Sequence, residues 1–440
     1  MELVNIFVQI LLFFGIFYFG IPLNKLYPGI IYKKIKFLDN YLFNIIFYIN
    51  YILVLSFFNL TINEILIIYL ILLIILILLN RKHYLSESII TKSNIGFFSI
   101  IFMILFLIST DVANSLTLGW DAQKFWIYKS INFYENGTIE NLKFLDKGDG
   151  YDYPYLGSLL WAIFWKVNFF GEEYLGRLFY AFVYVASILS LTINFNASKY
   201  SKIILFFILI LLTYSYSNFK GEQDILLFSL MAFAASSVIK ISNRSYDKEL
   251  FFNIFSLILI CNLMIWTKVE GSVYAFIIIL SLILCLKIKK KIKLILFLSF
   301  ILLMILRILI YKFYNLNIGV NSCCWNDLSL SGIYSKITLE RIFTIVQYFT
   351  FSLLKNYLII LSLLLLIISK NKFKIISDNL QIYLILSLCL CFIFTAYLLT
   401  DVNLIFMLKT GLDRLLFSIS PFFIIIIIQF LNSNKLELNN

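Results

Sequence analysis

Residues 271–314 read GSVYAFIIIL SLILCLKIKK KIKLILFLSF ILLMILRILI YKFY. Two apolar runs, 271–287 and 292–314, flank Lys287, Lys289, Lys290, Lys291 and Lys293. A helix of roughly 20 apolar residues crosses the hydrocarbon of a bilayer. Lys and Arg in a short loop mark the cytoplasmic side. The stretch therefore reads as a membrane hairpin whose turn lies in the cytoplasm. Outward from it the pattern repeats. Runs long enough to span occur at 3–20, 38–58, 64–80, 94–110, 174–194, 202–217, 225–241, 250–266, 271–287, 292–314, 356–370, 379–399 and 414–431, thirteen in all.

The composition agrees. The 440 residues are 62% hydrophobic and 14% charged, with a mean hydropathy of +0.94. A soluble chain of this balance would expose large apolar patches. That excludes a cytosolic enzyme, a nucleic-acid-binding module and a disordered chain. The net charge of +12 belongs to cytoplasmic loops, with no nucleic-acid partner implied. Only 16 Gly and 4 Pro are present, few for a transporter that breaks helices in mid-membrane. His83 is the single histidine, so no His-rich metal site exists. Four of the six cysteines lie in apolar runs, and the adjacent Cys323 and Cys324 read as plain thiols. The N-terminus lacks a basic region and a cleavage site and reads as a retained helix.

Loop charges orient the chain. Lys25, Lys33, Lys34 and Lys36 follow the first run, Arg81, Lys82 and Lys92 the third, and Lys370, Lys372 and Lys374 the run at 356–370. With Lys240, Arg244 and Lys248 they fall on one side only if 155–170 and 341–354 do not span. Both are expected to lie on the outer surface as interfacial helices. The N-terminus is then outside and the C-terminus cytoplasmic. Residues 1–93 form three additional N-terminal helices, 94–431 a membrane module with the outer loop 111–173, and 432–440 a cytoplasmic tail. Most acids fall on the outer side, which reads as a working face. No inner loop after 195 has room for a nucleotide-binding domain, and no phosphate-binding glycine motif appears.

Five polar clusters mark that face. Gly119-Trp120-Asp121-Ala122 precedes Phe125, Trp126 and Lys129; on a helix Asp121, Phe125 and Lys129 share a face. An interfacial aromatic belt accounts for the aromatics, but a belt does not require Asp121. Asp152-Tyr153-Pro154-Tyr155-Leu156 leads into the first interfacial helix, with Asp152 either a cap or a functional acid and Pro154 in the first turn. Lys220-Gly221-Glu222-Gln223-Asp224 places two acids at a helix start, where helix-start chemistry explains one better than two. Thr267-Lys268-Val269-Glu270-Gly271 forms the next outer turn. Lys409 to Asp413-Arg414 forms the fifth, and Arg307 lies at membrane depth, where an ionisable group is a candidate functional residue. Basic groups can hold a phosphate, and a carboxylate can take a proton from an attacking hydroxyl.

On these residues the chain resembles the GT-C superfamily of integral-membrane glycosyltransferases, which includes protein mannosyltransferases and lipid A aminoarabinose transferases. The resemblance runs over about 95–430. It rests on Asp121 in the first large outer loop, on Tyr153-Pro154-Tyr155-Leu156, and on Gly176-Arg177 at the start of the next spanning helix. Asp224 with Glu222, Lys268 to Gly271, and Arg414 before the last helix complete it. Membership implies an all-α GT-C-like fold, a polyprenyl-phosphate sugar donor, inversion at the anomeric carbon, and Asp121 as general base. It implies catalytic roles for Glu222 and Asp224. Lys129, Asp152, Tyr153, Arg177, Lys268, Glu270, Arg307 and Arg414 are the expected contacts to substrate and lipid phosphate. Asp121 is followed by Ala where better-known members carry a second acid, which leaves a divalent metal open. Three helices precede the usual first one, and the Pro-Pro lead-in is reduced to one Pro. The expected function is glycosyl transfer at the outer face of a bacterial inner membrane, to a glycan, lipid or protein acceptor. A surface-polysaccharide polymerase is the alternative, and a lipid or glycan transporter a weaker one.

Overall fold

The computed structural model describes residues 2–19, 37–86, 92–114, 116–145, 153–215, 219–242, 247–286, 289–316, 329–369 and 372–438. Asp152 and the Cys323–Cys324 pair lie outside the described residues. Helix takes 86% of the described chain, and no strand occurs among the described residues. The physical reason is the composition. Backbone N–H and C=O groups have no water partner in hydrocarbon, and a helix satisfies them within one segment.

Among the described residues eighteen α-helices follow in order: α1 Glu2–Tyr18, α2 Phe37–Ser56, α3 Ile62–Ser86, α4 Lys92–Asn114, α5 Ile127–Tyr134, α6 Leu156–Val167, α7 Glu173–Thr192, α8 Lys199–Thr213, α9 Asp224–Ser242, α10 Asp247–Thr267, α11 Val269–Cys285, α12 Lys290–Phe313, α13 Leu330–Lys336, α14 Leu339–Lys355, α15 Tyr357–Ile368, α16 Lys372–Asp378, α17 Leu380–Leu399 and α18 Leu404–Leu438. Eight of them (α2, α3, α7, α9, α10, α12, α17 and α18) are long and apolar enough to cross a membrane. The chain is a multi-pass membrane protein by that measure. The pair α14 and α15 would make a ninth, but it bends by 83° at Asn356. Helices α1 and α11, both expected to span, run to 17 residues or fewer. So does α6, expected at the surface.

The bend follows from local chemistry. Asn356 stops α14 in an extended conformation and caps α15, its Oδ1 accepting from the backbone N–H groups of Leu358 and Ile359. Helix α14 is amphipathic, with Ile345, Phe349 and Ser352 on its buried stripe. Arg341 on α14 donates through Nη2 to the carbonyls of Tyr397 and Thr400, and Lys336 pairs with Asp401 at 2.6 Å. These contacts tie α13 and α14 to the turn before α18.

The centre of the bundle is α7, wholly buried, and α9, nearly so; α3 and α12 sit at the edge with most of their apolar surface bare. Helix α9 packs against α7, α10 and α18, and α10 against α11. The N-terminal helices belong to the same body. Helix α1 packs on α4 and α7, and α2 on α10. Asn262 donates to Asn50 at 2.8 Å, Ser56 and Tyr155 hydroxyls meet at 2.9 Å, and Lys240 pairs with Asp39 at 2.8 Å.

Candidate functional site

One end of the bundle gathers the starts of α9 and α11, the end of α10, a point ten residues into α18, and the segment after α4. The turn 219–223 is built on Gly221, whose φ of +85° favours glycine. A Cβ there would meet the Trp161 ring at 2.9 Å and the Ala122 Cβ at 3.1 Å. The backbone N–H of Gly119 donates to the Lys220 carbonyl at 2.8 Å, and a Cβ on Gly119 would come within 2.5 Å of Glu222 Oε1. Two glycines thus let the segment bearing Asp121 lie directly on the turn bearing Glu222 and Asp224.

Gln223, between the two acids, points inward. Its Nε2 donates to the Tyr180 hydroxyl at 2.9 Å, which donates to the Gly157 carbonyl at 2.9 Å. Anchoring Gln223 on α7 and α6 leaves Glu222 and Asp224 facing α18. There Arg414 meets all three acids. Its Nη2 lies 2.5 Å from Asp121 Oδ2 and 2.5 Å from Asp224 Oδ2, its Nε 3.0 Å from Asp224 Oδ2 and 3.5 Å from Glu222 Oε2. Asp224, 2% exposed, is further paired with Lys268 Nζ at 2.8 Å, and Glu270 stands 3.9 Å from the same amine.

Lys268 is the single residue between α10 and α11, held extended at φ −148° and ψ 160°. Gly271 allows so tight a turn, since a Cβ there would be 2.1 Å from the Met264 carbonyl oxygen. Arg307, on α12, supports the turn, its Nη1 donating to the Ile265 carbonyl at 2.9 Å and to Ser272 Oγ at 2.6 Å. The last carbonyls of a helix need such partners. Replacing Arg307 with Met should therefore lower stability by about 1.5–3 kcal/mol, the range for a hydrogen bond to a charged group. Thermal unfolding of the purified chain checks it, and a midpoint equal to wild type would refute the supporting role.

Charge balance differs among the acids. Burial pushes the Glu222 carboxyl above its ordinary value, against the pull of Arg414 and with help from neighbouring Asp224 and Asp121. For Lys268 burial favours the neutral form, but Asp224 and then Glu270 outweigh it and hold the amine above its ordinary value.

The structure brings Asp121, Glu222 and Asp224 together around the Arg414 guanidinium, with Lys268 and Glu270 joined to them through Asp224. Other expected site residues are placed in supporting contacts. Lys129 is fully buried, its Nζ donating to the Tyr153 carbonyl at 2.6 Å and lying 5.4 Å from the Trp126 ring. A π-helical turn at Ala122–Trp126 inserts an extra residue per turn and removes the shared face expected for Asp121, Phe125 and Lys129. Phe125 packs on Trp120 and Tyr153. Arg177 lies one turn inside α7, 1% exposed, paired with Glu173 at 2.9 Å. Gly176 before it lets α6 approach, as a Cβ would stand 2.6 Å from the Trp161 carbonyl oxygen. Pro154, expected in the first turn of α6, instead lies outside it, before the N-cap Tyr155. Gln223 and Tyr180 escaped the sequence reading. Gln223 carried the weak signal of an amide between two acids, and Tyr180 had none among 28 tyrosines.

Among the described residues no group of three His, Cys, Asp or Glu side chains is arranged to hold a metal ion. The central carboxylates turn toward Arg414, a cation of the chain itself. No protein-family model, no curated protein and no solved structure matches the chain.

Proposed function

We propose that the chain is an inverting glycosyltransferase of the GT-C kind, moving a sugar from a polyprenyl-phosphate donor to an acceptor at the outer face of the membrane. The observation that carries this reading is the meeting of three acids, Asp224 buried and Asp121 and Glu222 half-buried, with Arg414 inside α18 and Lys268 between α10 and α11. Taking charges out of water is costly even when they are paired, so a buried ion-pair cluster is weak evidence for stability, and one that holds a carboxyl with raised proton affinity is a candidate functional site. In the reaction Asp121 takes the proton of the acceptor hydroxyl as its oxygen attacks the anomeric carbon. The bond from that carbon to the phosphate oxygen breaks, and the lipid phosphate leaves with its electron pair. Arg414 engages the acids through Nε and Nη2, and its Nη1 is the donor offered to the phosphate. Glu222 and Asp224 keep the guanidinium in place and offset the positive charge developing on the sugar. Supply of labelled polyprenyl-phosphate sugars to vesicles bearing the chain tests this. Label should pass to an acceptor; no transfer from any donor of a hexose and pentose panel would sink the reading.

The topology that goes with it has thirteen crossings: the eight long helices together with α1, α4, α8, α11 and α15. Helices α6 and α14 then lie at the surface, the N-terminus is outside, the C-terminus is cytoplasmic, and the membrane is a bacterial inner membrane. Single cysteines in a background lacking the six native ones test the sides. Trp120→Cys and Leu339→Cys, both exposed, should react with an impermeant thiol reagent on intact cells. Tyr200→Cys and Phe373→Cys, also exposed, should react only after permeabilisation. Labelling of the two pairs from the same side would overturn the arrangement.

A further inference from the structure

A cleft of about 360 Å³ opens beside this centre, between the end of α8, the α14–α15 bend and α18. Its volume falls within the roughly 300–1,000 Å³ of small-molecule sites. Two opposite charges stand on its walls, Lys355 and Asp413, both exposed. No ion pair joins them among the described residues; Lys355 Nζ lies 4.2 Å from the Phe351 ring centroid. Between them Ser352, 92% buried, lines the cleft with a hydroxyl that makes no hydrogen bond among the described residues. Asn356 uses Oδ1 to cap α15, which leaves its Nδ2 as a donor on the same wall. Leu416 and Phe417 floor the cleft. Beyond its rim run bare apolar side chains, Ile208 and Leu211 of α8 and Phe351 and Leu354 of α14.

We propose that this cleft seats the head group of a zwitterionic phospholipid bearing a primary amine. The phosphate faces Lys355, with Ser352 and Asn356 as further donors, and the ammonium faces Asp413. An anion alone would leave Asp413 repelling it, and a cation alone would face Lys355. A phosphate and an ammonium joined by a short chain satisfy both walls at once. The acyl chains lie along the bare apolar side chains of α8 and α14, which no described residue covers and which would meet lipid. The inference is independent of glycosyl transfer, since the cleft residues and the Arg414 acids are separate sets.

The test uses the full chain, purified and delipidated in detergent. Dihexanoyl phosphatidylethanolamine, dihexanoyl phosphatidylcholine, dihexanoyl phosphatidylglycerol and free phosphoethanolamine are titrated and followed by calorimetry. Phosphatidylethanolamine should bind about tenfold more tightly than phosphatidylglycerol, a difference of one charge contact. The choline lipid, which cannot donate a hydrogen bond to Asp413, should be intermediate. Lys355→Gln and Asp413→Asn should each weaken phosphatidylethanolamine about tenfold, and Lys355→Arg should retain binding. Both side chains are exposed, so neither variant threatens the fold. Equal affinity for phosphatidylglycerol, or undiminished binding by both neutral variants, would overturn the zwitterion site. Equal binding of free phosphoethanolamine would overturn the lipid as its source.

Discussion

Replacing Arg414 with Met should destabilise the protein more than any other single change at this site. The guanidinium lies within 3.5 Å of three carboxylates, and Asp224 among them is 2% exposed. Without it Asp224 keeps only Lys268, and Glu222 and Asp121 lose their closest cation. Removing one partner of a buried ion pair costs about 3–5 kcal/mol, because the remaining charge has neither water nor counter-ion. Thermal unfolding of the detergent-purified chain measures the loss. Coupling identifies its cause: Asp224→Asn added to Arg414→Met should recover a large part of the stability. Asp401→Asn, on an acid paired with Lys336 elsewhere, should recover none. Arg414→Lys keeps the charge but lacks the fork that reaches two acids through Nε and Nη2, so it should fall between. Wild-type stability in Arg414→Met would mean that the acids are neutralised by other means.

The same residues explain how far the sequence could be read. Asp121, Glu222, Asp224, Lys268, Glu270 and Arg414 were legible because charge at the edge of an apolar run is conspicuous, and they meet as one cluster. Lys129, Arg177 and Arg307 carried the same signal, yet each is committed inside the fold. Sequence spacing contains the reason for one of them, since Glu173 and Arg177 are four apart and pair along α7. It does not contain the others. The π turn that turns Lys129 away from the face of Asp121 is a local winding choice, and Arg307 caps a turn that lies 42 residues away in sequence. Helix length was the weaker part of the reading. Apolar runs locate hydrocarbon-compatible segments, but capping residues such as Asn356 decide where a helix stops, so 356–370 becomes a short helix bent away from α14.

Asp121→Asn should lower sugar transfer by about 10²–10⁴-fold, the usual contribution of a general base, and leave the protein folded. The two halves of that outcome have separate causes. Asn keeps the shape and can still meet Arg414, and Asp121 is 22% exposed, so its charge is partly solvated and its removal is inexpensive. It cannot accept the hydroxyl proton, so the chemical step suffers. Full transfer by the folded variant would take the role from Asp121 and point to Glu222, the neighbouring carboxyl whose proton affinity is raised. The pH profile separates the two contributions. Burial raises the proton affinity of Glu222 in the folded chain. Its protonation therefore stabilises the fold fully below the ordinary glutamate value, and that stabilisation is lost as pH rises through the raised one. Transfer has the opposite sign. It needs Glu222 ionised beside Arg414 and the cationic sugar, so the rate should fall on the acid side at a pH above the ordinary glutamate value. In Glu222→Gln that acid limb should move to lower pH while the plateau drops. An acid limb unmoved by Glu222→Gln would assign it to another group, and the reaction would then not depend on the charge that the turn at Gly221 holds against Arg414.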